Sequence, residues 1–424
     1  MDFIVEGRAF AGGEFVECAI GIENGRISRI GKTIEPSGGC RRISAKHILP
    51  AGVDAHVHFR DPGLTHKEDF ATGTMSAAFG GISCVLDMPN TKPPAVTTEA
   101  LAEKIEIAKR KACVDFGIYA GASAVGNVEA LAKKCTAFKL YMAESTGGLN
   151  VPDSEIEGIC AKIAKTGKAL SIHTEDEKTR KKFEEKNLED HLKSRSNICE
   201  AEAVKRVAAL APKLKNEIHL AHISAKESIE YLKNKPKNLT AEVAPHHLFL
   251  NAGMDLRQYG KVNPPLRTKQ DQSALWEALN LGIIDMLASD HAPHTIDEKE
   301  KEFNDAPSGM PGVETMYPLM LAASKVKRIE IARLANAISE RPAQIFGFGE
   351  RKGKIAVGYD ADLIFVDFQN ARKIKAEDLH SKCGWTAFEK FDAIFPESTM
   401  VRGKFVVENG SFVGAPGYGR YVSE

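Results

Sequence analysis

Ile82-Ser83-Cys84-Val85-Leu86-Asp87-Met88, followed by Thr98 to Ala112 and then by Val114 to Ala120, is the stretch that decides the fold. An apolar run of strand length gives way to a Lys/Glu/Ala-rich segment of helical length, and that segment to a second apolar run. Continuous apolar runs mark strands buried on both faces of a parallel sheet, and the helix between them supplies the crossover. Working outward, the same style recurs at Ile48 to Phe59 on one side. On the other side it recurs at Ala137 to Met142, Ala169 to His173, Glu217 to His222, Leu239 to Val243 and Ile284 to Ser289, with another helical segment at Glu200 to Ala211. Eight such βα units close most simply into a barrel, so the expected fold class is α/β, a (β/α)₈ TIM barrel.

The barrel is expected over 49–345, with residues 1–48 and 346–424 combining into one small β-sandwich domain. Short alternating runs at the N-terminus flank Glu23-Asn24-Gly25-Arg26, a hairpin signal. Near the other end, Ala361 to Val366 reads as a strand, and Val401 to Val407 and Ser411 to Val413 flank a second turn at Asn409-Gly410.

Lys+Arg and Asp+Glu balance at 57 each, so no global field recruits nucleic acid or an anionic membrane, and an anionic substrate has to be caught by local charges. Eight scattered cysteines, Cys18, Cys40, Cys84, Cys113, Cys135, Cys160, Cys199 and Cys383, contain no C-x-x-C pair and read as reduced core thiols. The first residues show no basic region followed by an apolar run, and no stretch approaches a membrane span. The expectation is a cytoplasmic enzyme with a small-molecule substrate.

Chemistry gathers at the carboxyl ends of the expected strands, where barrels of this kind carry their catalytic residues. His56 and His58 are two apart on the first strand and so point the same way. Ligand types recur at equivalent ends: Lys139 on the fourth strand, His173 on the fifth, His222 on the sixth and Asp290 on the eighth. A lone H-x-H on a strand is more often chance or a satisfied core pair, but the joint arrangement favours metal.

This constellation resembles the amidohydrolase superfamily and, more narrowly, its dihydroorotase family. The residues that carry the resemblance are His56-Val57-His58-Phe59-Arg60-Asp61-Pro62-Gly63, Asp87-Met88-Pro89-Asn90-Thr91-Lys92-Pro93-Pro94, Glu242-Val243-Ala244-Pro245-His246-His247-Leu248, Val262-Asn263-Pro264-Pro265-Leu266-Arg267 and Ser289-Asp290-His291-Ala292-Pro293-His294-Thr295, with Pro416-Gly417-Tyr418-Gly419-Arg420 near the end. The resemblance implies two divalent metal ions. His56 and His58 would hold one, His173 and His222 the other, a carboxylated Lys139 would bridge them, and Asp290 would serve metal and proton transfer. Imidazole and oxygen donors suit zinc, with manganese, iron and cobalt left open by spacing. Some members of the family have an aspartate at the position of Lys139; Phe138-Lys139-Leu140-Tyr141 places this chain with the lysine type.

The implied reaction is reversible hydrolysis of the dihydroorotate ring amide to N-carbamoyl-L-aspartate in pyrimidine biosynthesis, by a metal-bridging hydroxide with Asp290 as general base and acid. Arg60, Asn90 and His294 would receive the substrate carboxylate, and Asn263, Ser308 and Gly309 the ring amide edges. A planar guanidinium two residues past His58 suits bidentate capture of a carboxylate. Rival readings are another cyclic amidase, hydantoinase or allantoinase, and a non-catalytic scaffold on the same barrel. Homo-oligomerisation and association with other enzymes of the pathway stay open.

Other residues receive plainer readings. His219 and His222, three apart, should face opposite sides of one strand, which leaves His219 in the core or facing a helix. His246 and His247 are either helpers of the ligands or packing residues, and His47, His66, His191 and His380 have no nameable partner. Glu298 to Glu302 reads as a solvated charge run, and Glu144-Ser145-Thr146-Gly147-Gly148 as a loop able to close over substrate.

Overall fold

The computed structural model describes residues 1–36, 39–123, 127–144 and 148–423. Eight parallel strands, Gly52–Val57, Ile82–Asp87, Asp115–Gly121, Ala137–Tyr141, Leu170–His173, Ile218–Leu220, Leu239–Val243 and Met286–Leu287, lie side by side in chain order. His58 N donates to His291 O at 2.7 Å and joins the end of the first strand to the segment after the eighth, which brings the sheet round into a barrel. Every residue of these strands is buried, as helices outside and side chains inside require.

The crossover helices follow from local chemistry. Thr98–Lys111 starts where the Thr97 side chain accepts from Ala100 N at 3.2 Å and ends in Lys109, Arg110 and Lys111, cations suited to the negative end of the helix dipole. Its buried positions, Leu101, Lys104, Ile105 and Ala108, recur at helical spacing and face the barrel. Inside, Ala343, Phe346 and Phe348 pack against Val53, Tyr119 and Met286 and seal the floor. The polar ligand types are therefore confined to the opposite, carboxyl end.

Both ends of the chain enter one further eight-stranded sheet, which contains Phe3–Ala11, Glu14–Glu23, Arg26–Gly31 and Arg41–Pro50 from the first and Leu363–Val366, Ser398–Val401, Lys404–Glu408 and Ser411–Phe412 from the second. Strands Phe3–Ala11 and Lys404–Glu408 are four places apart, about 19 Å in a flat sheet. Yet the rings of Phe3 and Phe405 are 6.1 Å apart, so the sheet folds over on itself as a sandwich does. Asn24 (φ 53°) and Gly25 (φ 80°) form the expected hairpin turn.

Two strands expected as single pieces divide. The run from Ile48 to Phe59 hands over at Pro50–Gly52 from the folded sheet to the barrel. The run from Val401 to Val407 breaks at Arg402 (φ 44°) and Gly403 (φ 71°), because both adopt the left-handed conformation of a tight hairpin and pair Val401 with Lys404. All eight cysteines carry free thiols, and six of them are buried. Among the described residues no helix is long and apolar enough to cross a membrane.

Candidate metal centre

The first strand delivers two imidazoles to one point. His56 Nε2 and His58 Nε2 each stand 3.2 Å from Asp290 Oδ1, at the end of the eighth strand, and the three ligand atoms lie within 4.8 Å of one another. Beside them His173 Nδ1 and His222 Nε2 face each other at 3.0 Å. The two groups adjoin, with the rings of His56 and His222 5.3 Å apart. Lys139 is 1 % exposed, so it does not snorkel to solvent, and its Nζ has no hydrogen-bond partner.

Three of the four rings are held from behind. Glu242 Oε1 lies 2.5 Å from His56 Nδ1, Asn90 Oδ1 2.6 Å from His58 Nδ1 and Glu175 Oε2 2.7 Å from His173 Nε2. An oxygen that accepts from the outer ring nitrogen leaves the inner nitrogen's lone pair directed into the site. Arg195 Nη1 in turn pairs with Glu175 at 2.5 Å.

His219 corrects a sequence expectation: its Nε2 reaches Glu242 Oε2 at 2.9 Å, on the same interior side as His222, whose backbone N donates to Glu242 Oε1 at 3.1 Å. Strand parity fails because the sixth strand stops at Leu220 and His222 is left-handed (φ 37°). Asp290 (φ 48°) and Arg60 (φ 64°) share that conformation. Such backbone costs about 1 kcal/mol or more per residue, and here it turns each side chain into the site.

Burial dominates the electrostatics. It pulls Lys139 down to about 8, only partly offset by Glu242 and Asp290, so a reactive free amine is accessible near neutral pH. It pulls His58 down to about 3 against the pull of Asp290, which keeps the imidazole neutral and able to ligate. Burial pushes Asp290 up, but His56, His58 and His222 outweigh it and hold the carboxyl well below its usual range. A cluster of buried imidazoles, an ionised carboxylate and a buried amine without a hydrogen-bond partner fits divalent metal ions.

One cavity is lined by all six of these residues and by Arg60, Asn90, Asn263, Ser308 and Gly309. His294 lies behind that wall, with Nε2 3.2 Å from Arg60 Nη2 and 3.1 Å from Ser308 O. Arg60 is 2 % exposed and has no carboxylate within 4.0 Å among the described residues.

The charge run at Glu298 to Glu302 is not wholly solvated. Glu298 forms a capping box with Thr295, and Lys299 is fully buried, where Nζ donates to Pro307 O at 2.9 Å and Gly309 O at 3.1 Å. Three histidines expected to lack partners have them: His66 with Glu298 (3.3 Å), His191 with Glu185 (2.6 Å) and His380 with Glu314 (2.7 Å). His246 and His247 are buried on the short helix Pro245–Phe249; His247 Nε2 donates to Pro264 O at 3.1 Å. Residues 145–147 of the expected closing loop lie outside the described residues.

Residues 47–406 match the amidohydrolase family. The chain belongs to that family. A curated dihydroorotase of Methanosarcina acetivorans is 44% identical over 95% of this chain and 91% of its own length. The dihydroorotase of Thermoplasma volcanium is 40% identical over 100% and 98%. Among solved structures, the L-hydantoinase (dihydropyrimidinase) of Arthrobacter aurescens superposes with a TM-score of 0.93 at 31% identity, with full coverage of both chains. Metal dependence is a property of amidohydrolases, and the His56, His58 and Asp290 cluster is equipped for it.

Sequence reasoning did not single out Glu242, Glu175 or Arg195. Glu242 lies inside a motif that carries the resemblance, but nothing local says that its carboxylate reaches the first strand.

Proposed function

We propose that the protein is a dihydroorotase, a cyclic amide hydrolase that opens dihydroorotate to N-carbamoyl-L-aspartate and closes it again. The observation that carries the reading is Arg60: a fully buried cation that lines the cavity of the histidine cluster and has no carboxylate within 4.0 Å among the described residues. A substrate carboxylate would complete it with charge-assisted hydrogen bonds. Hydantoin and allantoin carry none and would leave the guanidinium buried without an anion, which disfavours those readings despite the fold shared with hydantoinases.

His56, His58 and Asp290 would hold one cation and His173 and His222 the other. Lys139 Nζ, by adding to carbon dioxide with formation of an N–C bond and release of a proton, would present carbamate oxygens able to hold both. When bound, two divalent cations, zinc by donor type, acidify a water and polarise the ring carbonyl. Asp290 takes the proton of the attacking water and hands it to the leaving ring nitrogen; in ring closure it runs the other way. Arg60 and Asn90 would fix the substrate carboxylate, with His294 acting through Arg60, and Asn263, Ser308 and Gly309 would hold the amide edge. Eight free thiols support work in a reducing cytoplasm.

The test is to assay ring opening of dihydroorotate, hydantoin and allantoin side by side, with bound metal measured on the same sample. Dihydroorotate should lead in kcat/KM by at least about a hundredfold, the scale set by losing charge-assisted hydrogen bonds. Equal or faster hydantoin opening would overturn the reading, and a protein that binds no metal would point to a scaffold.

A further inference from the structure

Arg60 and His294 meet behind the cavity wall with more donors than their contacts can use. His294 Nε2 has two neighbours, Arg60 Nη2 at 3.2 Å and Ser308 O at 3.1 Å, and across the ring Nδ1 has Lys67 Nζ at 3.1 Å. The imidazole is fully buried, and burial pushes it down to about 3, so it is neutral at working pH. A neutral imidazole has one N–H and one acceptor nitrogen, whereas an ammonium only donates. Lys67 therefore makes Nδ1 the acceptor, and Nε2 carries the hydrogen, which Ser308 O receives.

The Nε2–H and Arg60 Nη2–H groups are then both donors and cannot bond each other. Glu298 reinforces this choice. Its Oε1 holds Lys67 Nζ at 3.0 Å, while its Oε2 accepts from Thr295 N at 3.2 Å in the capping box and stays 3.6 Å from His294 Nδ1, too far to take a hydrogen from it.

We infer that Lys67 is a positioning residue that locks His294 in the Nε2–H tautomer and so keeps the Nη2 hydrogens of Arg60 available for the carboxylate of an anionic substrate. Without Lys67, Glu298 becomes the nearest partner of Nδ1 and draws the hydrogen to that side. Nε2 then accepts from Arg60 and pulls the guanidinium away from the cavity. The tautomer lock stands on the contacts of a buried, neutral imidazole; its kinetic consequence rests on the dihydroorotase reading.

Two measurements test it. Imidazole ¹⁵N spectra of histidine-labelled protein, with the His294 signals assigned by their loss in His294→Gln, should show Nε2–H in the wild type and in Lys67→Arg, and Nδ1–H in Lys67→Met. Steady-state kinetics should show KM for dihydroorotate raised about tenfold or more in Lys67→Met, the scale of one charge-assisted hydrogen bond. In that variant kcat and metal content should stay within about twofold, and Lys67→Arg should restore KM because a guanidinium also only donates. An Nδ1–H wild type, an unchanged KM in Lys67→Met, or a fall in kcat as large as the rise in KM would overturn the inference. If the wild type does not open dihydroorotate, the functional reading fails while the spectra still judge the lock.

Discussion

Lys139, at the carboxyl end of the barrel, and Lys352, beneath its amino end, are each 1 % exposed. Lys352 Nζ meets Asp115 at 2.6 Å, Asp362 at 2.7 Å and Asp360 at 3.2 Å; among the described residues Lys139 Nζ has no hydrogen-bond partner and lies 5.5 Å from the centre of the Tyr141 ring. Burial pulls both amines down, but Asp115 and Asp362 outweigh it at Lys352, which ends well above its ordinary value, whereas Lys139 ends near 8. The arginines repeat the contrast. Arg402 Nε lies 2.9 and 3.1 Å from the two oxygens of Asp115, while Arg60 has no carboxylate within 4.0 Å among the described residues. Burial alone therefore does not tell a structural charge from a functional one. The amino end neutralises its cations within the chain and gains rigidity; the carboxyl end leaves them for groups that arrive from outside.

The contrast breaks first at Lys139. Lys139→Ala should lose bound metal and lower turnover by at least about a thousandfold, the upper range for removing one electrostatic element of a site. Added short carboxylic acids should restore part of both, and full metal with wild-type turnover would remove the bridging role.

Asp290→Asn should keep most metal and lose about a hundredfold to ten-thousandfold in both directions, the usual share of a general base or acid. In the wild type the Asp290 carboxyl is held well below its usual range, so ring opening has the ionised form it needs at working pH and should lose rate only in acid, whereas ring closure needs the acid and should improve as pH falls. Rates measured both ways across pH for the two proteins check this, and a variant with near-normal rates and the same opposed profiles would leave Asp290 at most a ligand.

Arg60→Gln should raise KM for dihydroorotate and lower kcat/KM by about a hundredfold with metal content unchanged, since a charge-assisted bidentate pair is removed. Unchanged kinetics would place the carboxylate elsewhere.

Lys352→Met is the opposite case, with the smallest effect on turnover. It leaves Asp362 without its cation and Asp115 with Arg402 alone, and should cost about 3 to 5 kcal/mol in denaturant unfolding, while kcat/KM of the folded protein stays within about twofold. A raised folded pKa means that Lys352 stabilises below its unfolded value of about 10.4 and that the contribution is lost as pH rises through the folded one. The stability that Lys352 contributes should therefore be lost only in strong alkali, and the variant should lack that component of the decline.

How far the sequence reached is clearest at particular residues. The eight strands, the pairing of His56 with His58, and Lys139, His173, His222 and Asp290 at strand ends were legible because strand period and residue type are local properties. The hairpin turn at Asn24-Gly25 was legible for the same reason. His219 was misplaced because parity assumes an unbroken strand, and the sixth strand ends before the left-handed His222. Lys299 looked solvated because a charge run carries no record of the carbonyls that fold over it.

Only the tertiary structure decided how the ligands are held. Glu242 is 186 residues from the His56 ring that it orients, and Lys67 is 227 from the His294 tautomer that it sets. Periodicity runs along one element, whereas a hydrogen bond is fixed by where separate elements come to rest. The sequence determined which groups enter the site, and the packing of the barrel decided which of them are satisfied within the chain and which are left for a metal or a substrate.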